Sequence, residues 1–334
     1  MPVTRRRPPT LDAVTTHTAA LDQVSASGAP TTPAGLAKAL PQWVRLSLVA
    51  NVVAQVGIVV TGGLVRLTGS GLGCPTWPQC VPGSYVPVVH QSQGIHKYIE
   101  FGNRTLTGVV GMTALAVLVA VWYVARRDDR PRRLVALAAL PLVGVAGQAV
   151  LGGITVLTHL SPATVAAHFL VSAVIIVTSF VVLDRVRRPD SAPVWTVRVE
   201  LVWLAIALSV TTAVVLLLGT VVTGSGPHSG DADAPARFGL DPRSMSWLHA
   251  DAVLLWFGLL LALLIALRIT DASPVARRAG LVTLVVGLAQ GVIGYVQYFT
   301  GLPVVAVALH MLGACLLVIA VARLVLALRE RAPA

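Results

Sequence analysis

The sequence predicts an all-α membrane protein with eight transmembrane helices, arranged as two pseudo-repeated four-helix bundles with both termini in the cytoplasm. Three observations support this fold class. Hydrophobic residues make up 55% of the 334 residues, and the mean hydropathy is +0.79. The apolar residues fall into separated runs, and basic residues cluster in alternate connections between them.

Eight apolar runs are long enough to cross a membrane, since a hydrocarbon core of about 30 Å requires about 20 helical residues. The first run begins beyond residue 40 and is as long as a full span, so we interpret it as a helix and not as a cleavable signal peptide. The predicted spans are residues 45–65, 98–124, 134–157, 163–183, 199–222, 246–268, 277–299 and 303–327.

The formal charge of +11 could indicate a nucleic-acid binder, but its distribution argues against one. With the N-terminus inside, 20 of the 25 Lys and Arg residues lie in the inner segments. By the positive-inside rule this asymmetry sets the topology of a multi-pass cell-membrane protein. We therefore expect membrane lipid as a partner and no nucleic acid.

The chain divides into four predicted segments. Residues 1–42 are rich in Pro, Thr and Ala without apolar periodicity, which predicts a disordered cytoplasmic tail. Residues 43–184 form the first four-helix repeat and residues 185–328 the second. Residues 329–334 are a short cytoplasmic tail.

An internal repeat relates the two halves. In each half a glutamine precedes a histidine by twenty residues, and the motif TGSG, at 68–71 and 223–226, leaves a helix for an outer loop. The matching pairs are Gln148 and Gln290, Gly152 and Gly294, Thr158 and Thr300, Leu160 and Leu302, and His168 and His310.

Three histidines lie inside apolar spans, within about 10 Å of the outer boundary: His168, His249 and His310. Ionisable residues in a membrane usually face the bundle interior and have a function. His249 and His310 can face each other across the second half, which suits a six-coordinate haem iron. The alternatives are interhelical hydrogen bonds and a zinc site, which is disfavoured because no carboxylate or cysteine accompanies the pair in the membrane.

Helix 2 carries a polar stripe, His96, Glu100 and Asn103, at positions i, i+4 and i+7. Aligned on the repeat, Asn103 takes the place of His249, so the halves differ chemically. A carboxylate at the rim of a lipid-buried pocket is suited to proton transfer. The alternative for Glu100 is a simple ion pair with Lys97 or Arg104.

The stretch GGLVRLTGSGLGCPTWPQC, the later IEFGNR and the histidine layout resemble haem A synthases of the bacterial and mitochondrial type, over residues 43–328. The resemblance implies an eight-helix oxidoreductase that converts a methyl group of haem O to the formyl group of haem A, by successive hydroxylations and loss of water, for cytochrome c oxidase. It also implies possible contacts with haem O synthase and cytochrome c oxidase assembly factors.

The resemblance assigns a bound haem b to His249 and His310, and places His168 beside the substrate haem O. It implicates Glu100 in catalysis. The sequence departs from the family pattern of Glu, two residues, His and Arg, because Asn103 replaces that histidine. Either His96 supplies the missing ligand, or His168 is the sole ligand and Asn103 holds a water or hydroxyl; we favour the second.

Cys74 and Cys80 lie in the first outer loop, on the oxidising side, where a disulfide can persist. The resemblance also implies this pair, which would cap the first-half site and either stabilise it or exchange with a redox partner; the alternative is two free thiols. Arg66 and Arg104 flank the outer rim and could bind haem propionates or lipid headgroups.

Two other functions use parts of the same pattern. A dihaem membrane cytochrome that carries electrons from quinol would use the histidine pairs, but it needs neither Glu100 nor asymmetry between the halves. A transporter with a repeated bundle would bind no haem.

Overall fold

The computed structural model describes residues 39–231 and 234–331. Within them, eight helices are long and apolar enough to cross a membrane, as predicted. The predicted tail, residues 1–42, lies almost wholly outside the described residues. The helices are α1 Gln42–Leu67, α2 His96–Arg127, α3 Arg132–Leu157, α4 Pro162–Val186, α5 Val199–Ser225, α6 Pro242–Ile269, α7 Pro274–Phe299 and α8 Val304–Ala327.

Most helices extend a few residues beyond the predicted apolar runs, because a helix continues through polar residues at the membrane boundary. Three of them begin on proline, at Pro162, Pro242 and Pro274. Proline fits the first turn because its missing N–H has no intrahelical acceptor there. Asp241 caps α6 by accepting a 2.8 Å hydrogen bond from the Ser244 N–H.

The helices pack as two closed rings of four. In the first bundle, α1 to α4 each contact the next helix and α4 returns to α1; α5 to α8 form the second bundle in the same way. This order places α2 diagonally opposite α4, and α6 diagonally opposite α8. The two bundles meet where α1 and α4 pack against α8, and where α4 packs against α5.

The two ends of the bundles differ in their packing. We call the end with the Thr68–Ile95 connection the loop face, and the opposite end, where α1 begins and α2 ends, the arginine face. The large apolar clusters of both bundles lie toward the arginine face, around Leu48 and Val121 in the first and around Leu208 and Leu263 in the second. The polar residues singled out in α2, α4, α6 and α8 lie toward the loop face.

A short antiparallel ribbon lies at the arginine face. Strand β1, Pro193–Trp195, between the two bundles, pairs with β2, Arg329–Arg331, which follows α8. The Arg329 guanidinium stacks 4.3 Å from the Trp195 ring centroid. Residues 329–331, predicted as part of a tail, therefore form a strand of this ribbon.

Candidate haem-binding site

Two imidazoles face the interior of the second bundle from diagonal helices. His249 lies on α6 and His310 on α8, and both are half-buried. Each ring packs against a glycine of a neighbouring helix. A Cβ added to Gly219 would lie 3.3 Å from Cε1 of His249, and one added to Gly294 would lie 3.4 Å from Cε1 of His310. The glycines therefore make room for the rings.

The first bundle repeats these contacts with one difference. A Cβ on Gly152 would lie 3.3 Å from Cε1 of His168, on α4. On the diagonal helix α2, the corresponding residue is Asn103, whose Nδ2 lies 3.7 Å from a Cβ built on Gly62. The second bundle thus presents two imidazoles, whereas the first presents one imidazole and one carboxamide.

The three histidine rings have the same orientation relative to their glycines. The Nδ1 atoms of His168, His249 and His310 are buried and have no hydrogen-bond partner among residues 39–231 and 234–331. Only Cε1 and Nδ1 of each ring come within 4 Å of the glycine Cβ position, so Nε2 lies on the side turned from the glycine. Nε2 is therefore the nitrogen available to bind a metal.

Two glutamines fix the helix segments that carry two of these histidines. Gln148 Nε2 donates to the main-chain carbonyl of His168 at 2.8 Å, and Gln290 Nε2 donates to that of His310 at 3.0 Å. Both bonds join neighbouring helices, α3 to α4 and α7 to α8. They hold the histidine backbone in the same way in both bundles.

Any metal at these positions needs ligands from another source. Within the described part of the chain, no group of three or more His, Cys, Asp or Glu side chains is placed to hold a metal ion. A porphyrin supplies four equatorial nitrogens and requires only one or two axial side chains. The paired imidazoles of the second bundle fit that requirement.

Glu100 lies on α2 at the loop face, buried and fully hydrogen-bonded. Its Oε1 accepts two bonds from Arg104, at 3.0 Å from Nε and 2.6 Å from a terminal nitrogen. Its Oε2 accepts the main-chain N–H of Cys74. The ion pair considered in the sequence analysis is therefore formed with Arg104, while Glu100 also contacts the loop.

Arg104 extends these contacts along the same loop. Besides binding Glu100, it donates to the carbonyls of Cys74 at 2.7 Å, Thr76 at 2.9 Å and Gln79 at 3.3 Å. These bonds account for all five guanidinium N–H groups.

The loop that Arg104 binds is closed by the predicted Cys74–Cys80 disulfide, which the structure contains. Both cysteines are fully buried. Trp77, at the tip of the disulfide loop, packs against α3, where a methyl on Gly153 would overlap its indole. Gly153 adjoins the glycine that contacts His168. The loop therefore covers the loop-face end of the first bundle.

The first turn of α2 is fastened to this connection. His96 Nδ1 is 2.7 Å from Ser70 Oγ, and buried Lys97 donates to the carbonyls of Val88 at 2.6 Å and Val89 at 2.9 Å. His96 therefore contacts the end of the loop and not the level of Asn103, seven positions further along α2.

Arg66 joins the two bundles at the loop face. Its Nε donates to the main-chain carbonyl of His228 at 2.7 Å, and a terminal nitrogen donates to that of Thr223 at 3.1 Å. The Gly71 N–H donates to the Gly230 carbonyl at 2.9 Å beside them. The guanidinium groups of Arg66 and Arg104 therefore both donate hydrogen bonds to main-chain carbonyls.

Sequence reasoning found most of these residues but missed Thr61 and Gly62, which contact Asn103. The TGSG register matches Gly62 to Leu217, so the repeat did not indicate it, and its likeness to Gly219 is seen only in the contacts of the two glycines. Thr61 had no indication either, since α5 has Leu218 before its glycine.

Comparison with known proteins gives the family. A family model described as cytochrome oxidase assembly protein, COX15-CtaA, matches residues 45–228, more than half of the chain. The chain belongs to the COX15-CtaA family. The matched segment includes the disulfide loop, Glu100 and His168, and it ends at His228.

Among curated relatives, the heme A synthase of Lysinibacillus sphaericus strain C3-41 is 30% identical over 186 residues, 54% of this chain and 58% of that protein. The heme A synthase of Shouchella clausii strain KSM-K16 is 35% identical over 137 residues, 41% of this chain and 43% of the relative. The chain thus spans about half the length of these two relatives. The heme A synthase of Bacillus cereus strain G9842 is 24% identical over 267 residues, 76% of this chain and 83% of that protein.

Proposed function

We propose that this protein is a haem A synthase, which oxidises a methyl group of haem O to the formyl group of haem A for use by cytochrome c oxidase. The observation that carries the proposal is the chemical asymmetry of two similar bundles. One presents His249 and His310, as a permanently bound electron carrier needs, and the other presents His168 opposite Asn103, beside a buried carboxylate. Membership of the COX15-CtaA family and relatives named heme A synthase support it.

The fold proposal is that the bundles are two copies of one four-helix unit. It is supported by the matched contacts of Gly62, Gly152, Gly219 and Gly294, and by the matched glutamine bonds. We also propose that the arginine face lies in the cytoplasm and the loop face outside, which the positive-inside rule supports, because 20 of 25 basic residues belong to the inner segments. The disulfide on the outer side agrees with an oxidising compartment.

The proposed resident cofactor is haem b, held in the second bundle by His249 and His310. The residues fit the group, because both rings are backed by glycine and turn Nε2 away from it. When bound, haem b would supply one-electron transfer. The protein's part is to fix both rings, through their glycines and, for His310, through the Gln290 bond.

The proposed substrate site lies in the first bundle, with His168 as the axial residue for haem O. The Cys74–Cys80 loop excludes water from the loop-face end, and Glu100 lies directly beneath it. Its Oε1 and Oε2 accept three hydrogen bonds, which hold the carboxylate in one orientation. We propose that Glu100 accepts a proton there during the reaction and that Arg104 keeps it oriented.

The proposed propionate contacts of Arg66 and Arg104 stay predictions. Both guanidinium groups donate to main-chain carbonyls, so a propionate would have to share or replace those bonds. The proposed partners are haem O, membrane lipid, haem O synthase and cytochrome c oxidase assembly factors.

Haem analysis tests the proposal. The chain is expressed in cells that make haem O but lack their own haem A synthase, and the extracted haems are separated by reversed-phase chromatography. We expect haem A in these cells and haem b in the purified protein. Haem O that accumulates unchanged beside two bound haems would instead support the dihaem quinol cytochrome. Purified protein without any haem would contradict both functions.

A further inference from the structure

Asn103 stands where the second bundle has an axial histidine. Its side chain lies against Gly62 of the preceding helix, as His249 lies against Gly219, and its helix α2 stands diagonally across the first bundle from α4, which carries His168. The residue is half-buried, like the three histidines. Position 103 therefore occupies the place opposite His168 where a second axial ligand would be expected.

A neighbouring hydroxyl fixes the orientation of this carboxamide. Thr61 Oγ1 lies 2.8 Å from Asn103 Oδ1 and donates to it, and the same hydroxyl lies 3.2 Å from the Ile58 carbonyl in its own helix. Because Oδ1 accepts from Thr61, the carboxamide can offer its Nδ2 hydrogens to a ligand. An amide nitrogen donates hydrogen bonds and does not ligate iron.

The second bundle has no threonine at the position that corresponds to Thr61. The residue that precedes Gly219 is Leu218, whereas Thr61 precedes Gly62. A leucine beside an imidazole leaves the ring free to act as a ligand, while a threonine beside an asparagine holds an amide as a donor. The change from leucine to threonine and the change from histidine to asparagine therefore occur together, on the adjacent helices α1 and α2.

His96 does not take over the role of the missing ligand in this structure. Its Nδ1 lies 2.7 Å from Ser70 Oγ at the loop face. Seven residues separate it from Asn103, which corresponds to about 10 Å along a helix.

We propose that Thr61 and Asn103 act as a positioning pair, which directs an amide N–H donor at the sixth coordination position of the first-bundle haem, where a water-sized ligand binds opposite His168. The proposal rests on the proposed function, since it takes the first bundle as a haem site. An exchangeable position on one haem, and not on the other, would let the substrate haem meet small oxygen species while the haem held by two histidines stays closed.

Ligand binding to the purified protein tests this pair without measuring catalysis. The protein is loaded with hemin to saturation, and its optical and electron paramagnetic resonance spectra are recorded during a cyanide titration. We expect two haems per chain, one low-spin and unreactive, the other high-spin and converted by cyanide. The Asn103→His variant should make both haems low-spin and abolish the cyanide response.

The Thr61→Val variant keeps the size of the side chain but removes the donor to Oδ1. It should weaken cyanide binding about 3- to 10-fold, as expected for the misplacement of one hydrogen bond, and Asn103→Leu should weaken it at least as much. Thr105→Val is the matched control, because Thr105 is exposed on α2 and donates only to the Gly102 carbonyl. It should leave cyanide binding unchanged.

Two results would overturn this inference without contradicting the proposed function. One is two low-spin haems in the unsubstituted protein, and the other is an unchanged spectrum after Asn103→His. A single haem per chain after loading would contradict the proposed function as well, since the first bundle would then bind none.

Discussion

Arg66 of α1 donates a 2.7 Å hydrogen bond to the main-chain carbonyl of His228, a residue 162 positions later in the chain. The bond connects the end of the first helix with the loop after α5, so the loop face of the two bundles is one hydrogen-bonded surface. The positive charge of Arg66 also acts on the His228 imidazole. Burial, with this charge as a second cause, lowers the pKa of His228 below its ordinary value.

The lowered pKa of His228 predicts a loss of stability in mild acid. The unfolded chain binds a proton near pH 6.5, whereas the folded chain resists it, so this part of the stability is complete above that pH and is lost as pH falls through the lower folded pKa. His228→Asn keeps the carbonyl that Arg66 binds, and should reduce the fall in Tm between pH 7.5 and pH 5.5. His90→Asn, in an exposed part of the first loop, is the control. An equal fall in Tm for the His228 variant and the unsubstituted protein would contradict the prediction.

Glu100→Ala should abolish haem A formation while haem b stays bound. The substitution removes the carboxylate that accepts from Arg104 and Cys74, but it leaves the second bundle untouched. Haem A yield and the haem b content of the purified protein are the measurements. The control is Glu200→Ala, an exposed carboxylate paired with Arg198 at the arginine face. Normal haem A yield from the Glu100 variant would refute its catalytic role.

Replacement of both Cys74 and Cys80 by alanine should loosen the loop that covers the first bundle. Loss of a cross-link over so short a loop costs about 2 kcal/mol of local stability, and the Cys74 N–H and carbonyl bind Glu100 and Arg104. Hydrogen exchange of the peptide that contains residues 71–84 should become faster. The buried, unpaired Cys315 provides the control, since Cys315→Ala should not change that exchange.

The haem A yield of the same double variant shows whether the disulfide is structural or redox-active. A reduced but measurable yield is expected for a structural cross-link, because Arg104 still binds the loop carbonyls. A complete loss without any change in hydrogen exchange would indicate thiol chemistry instead.

A methyl group on Gly294 should disturb the haem that we propose His310 holds. The added Cβ would lie 3.4 Å from Cε1 of the ring, at the near limit of ordinary van der Waals contact, which leaves the ring no free space on that side. We expect a shifted reduction potential of the bound haem b and faster haem loss in detergent. Gly291→Ala, one turn earlier with nothing within 4 Å of its Cβ position, is the matched control. Identical potentials for the two variants would contradict the packing role of Gly294.

Asp190→Asn should destabilise the arginine face. Burial alone would raise the pKa of Asp190, but the hydrogen bonds and charges of Arg130 and Arg185 outweigh it and lower the pKa. The carboxylate is therefore charged at neutral pH, and its contribution is lost only in strong acid, as pH falls below the unfolded value of about 3.9.

The expected cost of the Asp190 substitution at pH 7 is about 1–3 kcal/mol, because two arginines lose a charged acceptor. Thermal unfolding in detergent measures it. Asp129→Asn serves as the control, since Asp129 is exposed on the same face. A Tm equal to that of the control would show that the arginines do not depend on Asp190.

The eight helices could be predicted because the length of each apolar run can be read from the sequence. The three histidines could be singled out because they lie inside apolar spans, and the repeat additionally matches His168 to His310. The disulfide was predicted from the outer-loop position of both cysteines together with the family resemblance, and the structure contains it. The bonds around Arg66, Lys97 and Arg104 could not be predicted. Their acceptors are main-chain carbonyls of loops, which any residue supplies, so no pattern of side chains reveals them.

The ribbon formed by β1 and β2 could not be predicted from the sequence either, because strands of three residues have no detectable periodicity. Val194 and Glu330 pair across it, although 135 intervening residues separate them. Residues 329–331, predicted as part of a tail, are the residues that form β2.

This ribbon has a consequence for biogenesis. Since β2 follows α8, the segment that joins the bundles cannot acquire its partner until every transmembrane helix has been synthesised and inserted. A ribosome-bound nascent chain holds Pro193–Trp195 unpaired throughout the insertion of the second bundle. If the protein were co-expressed as two fragments divided within that linker, β1 and β2 would belong to different polypeptides. The ribbon would then help to hold the two fragments together.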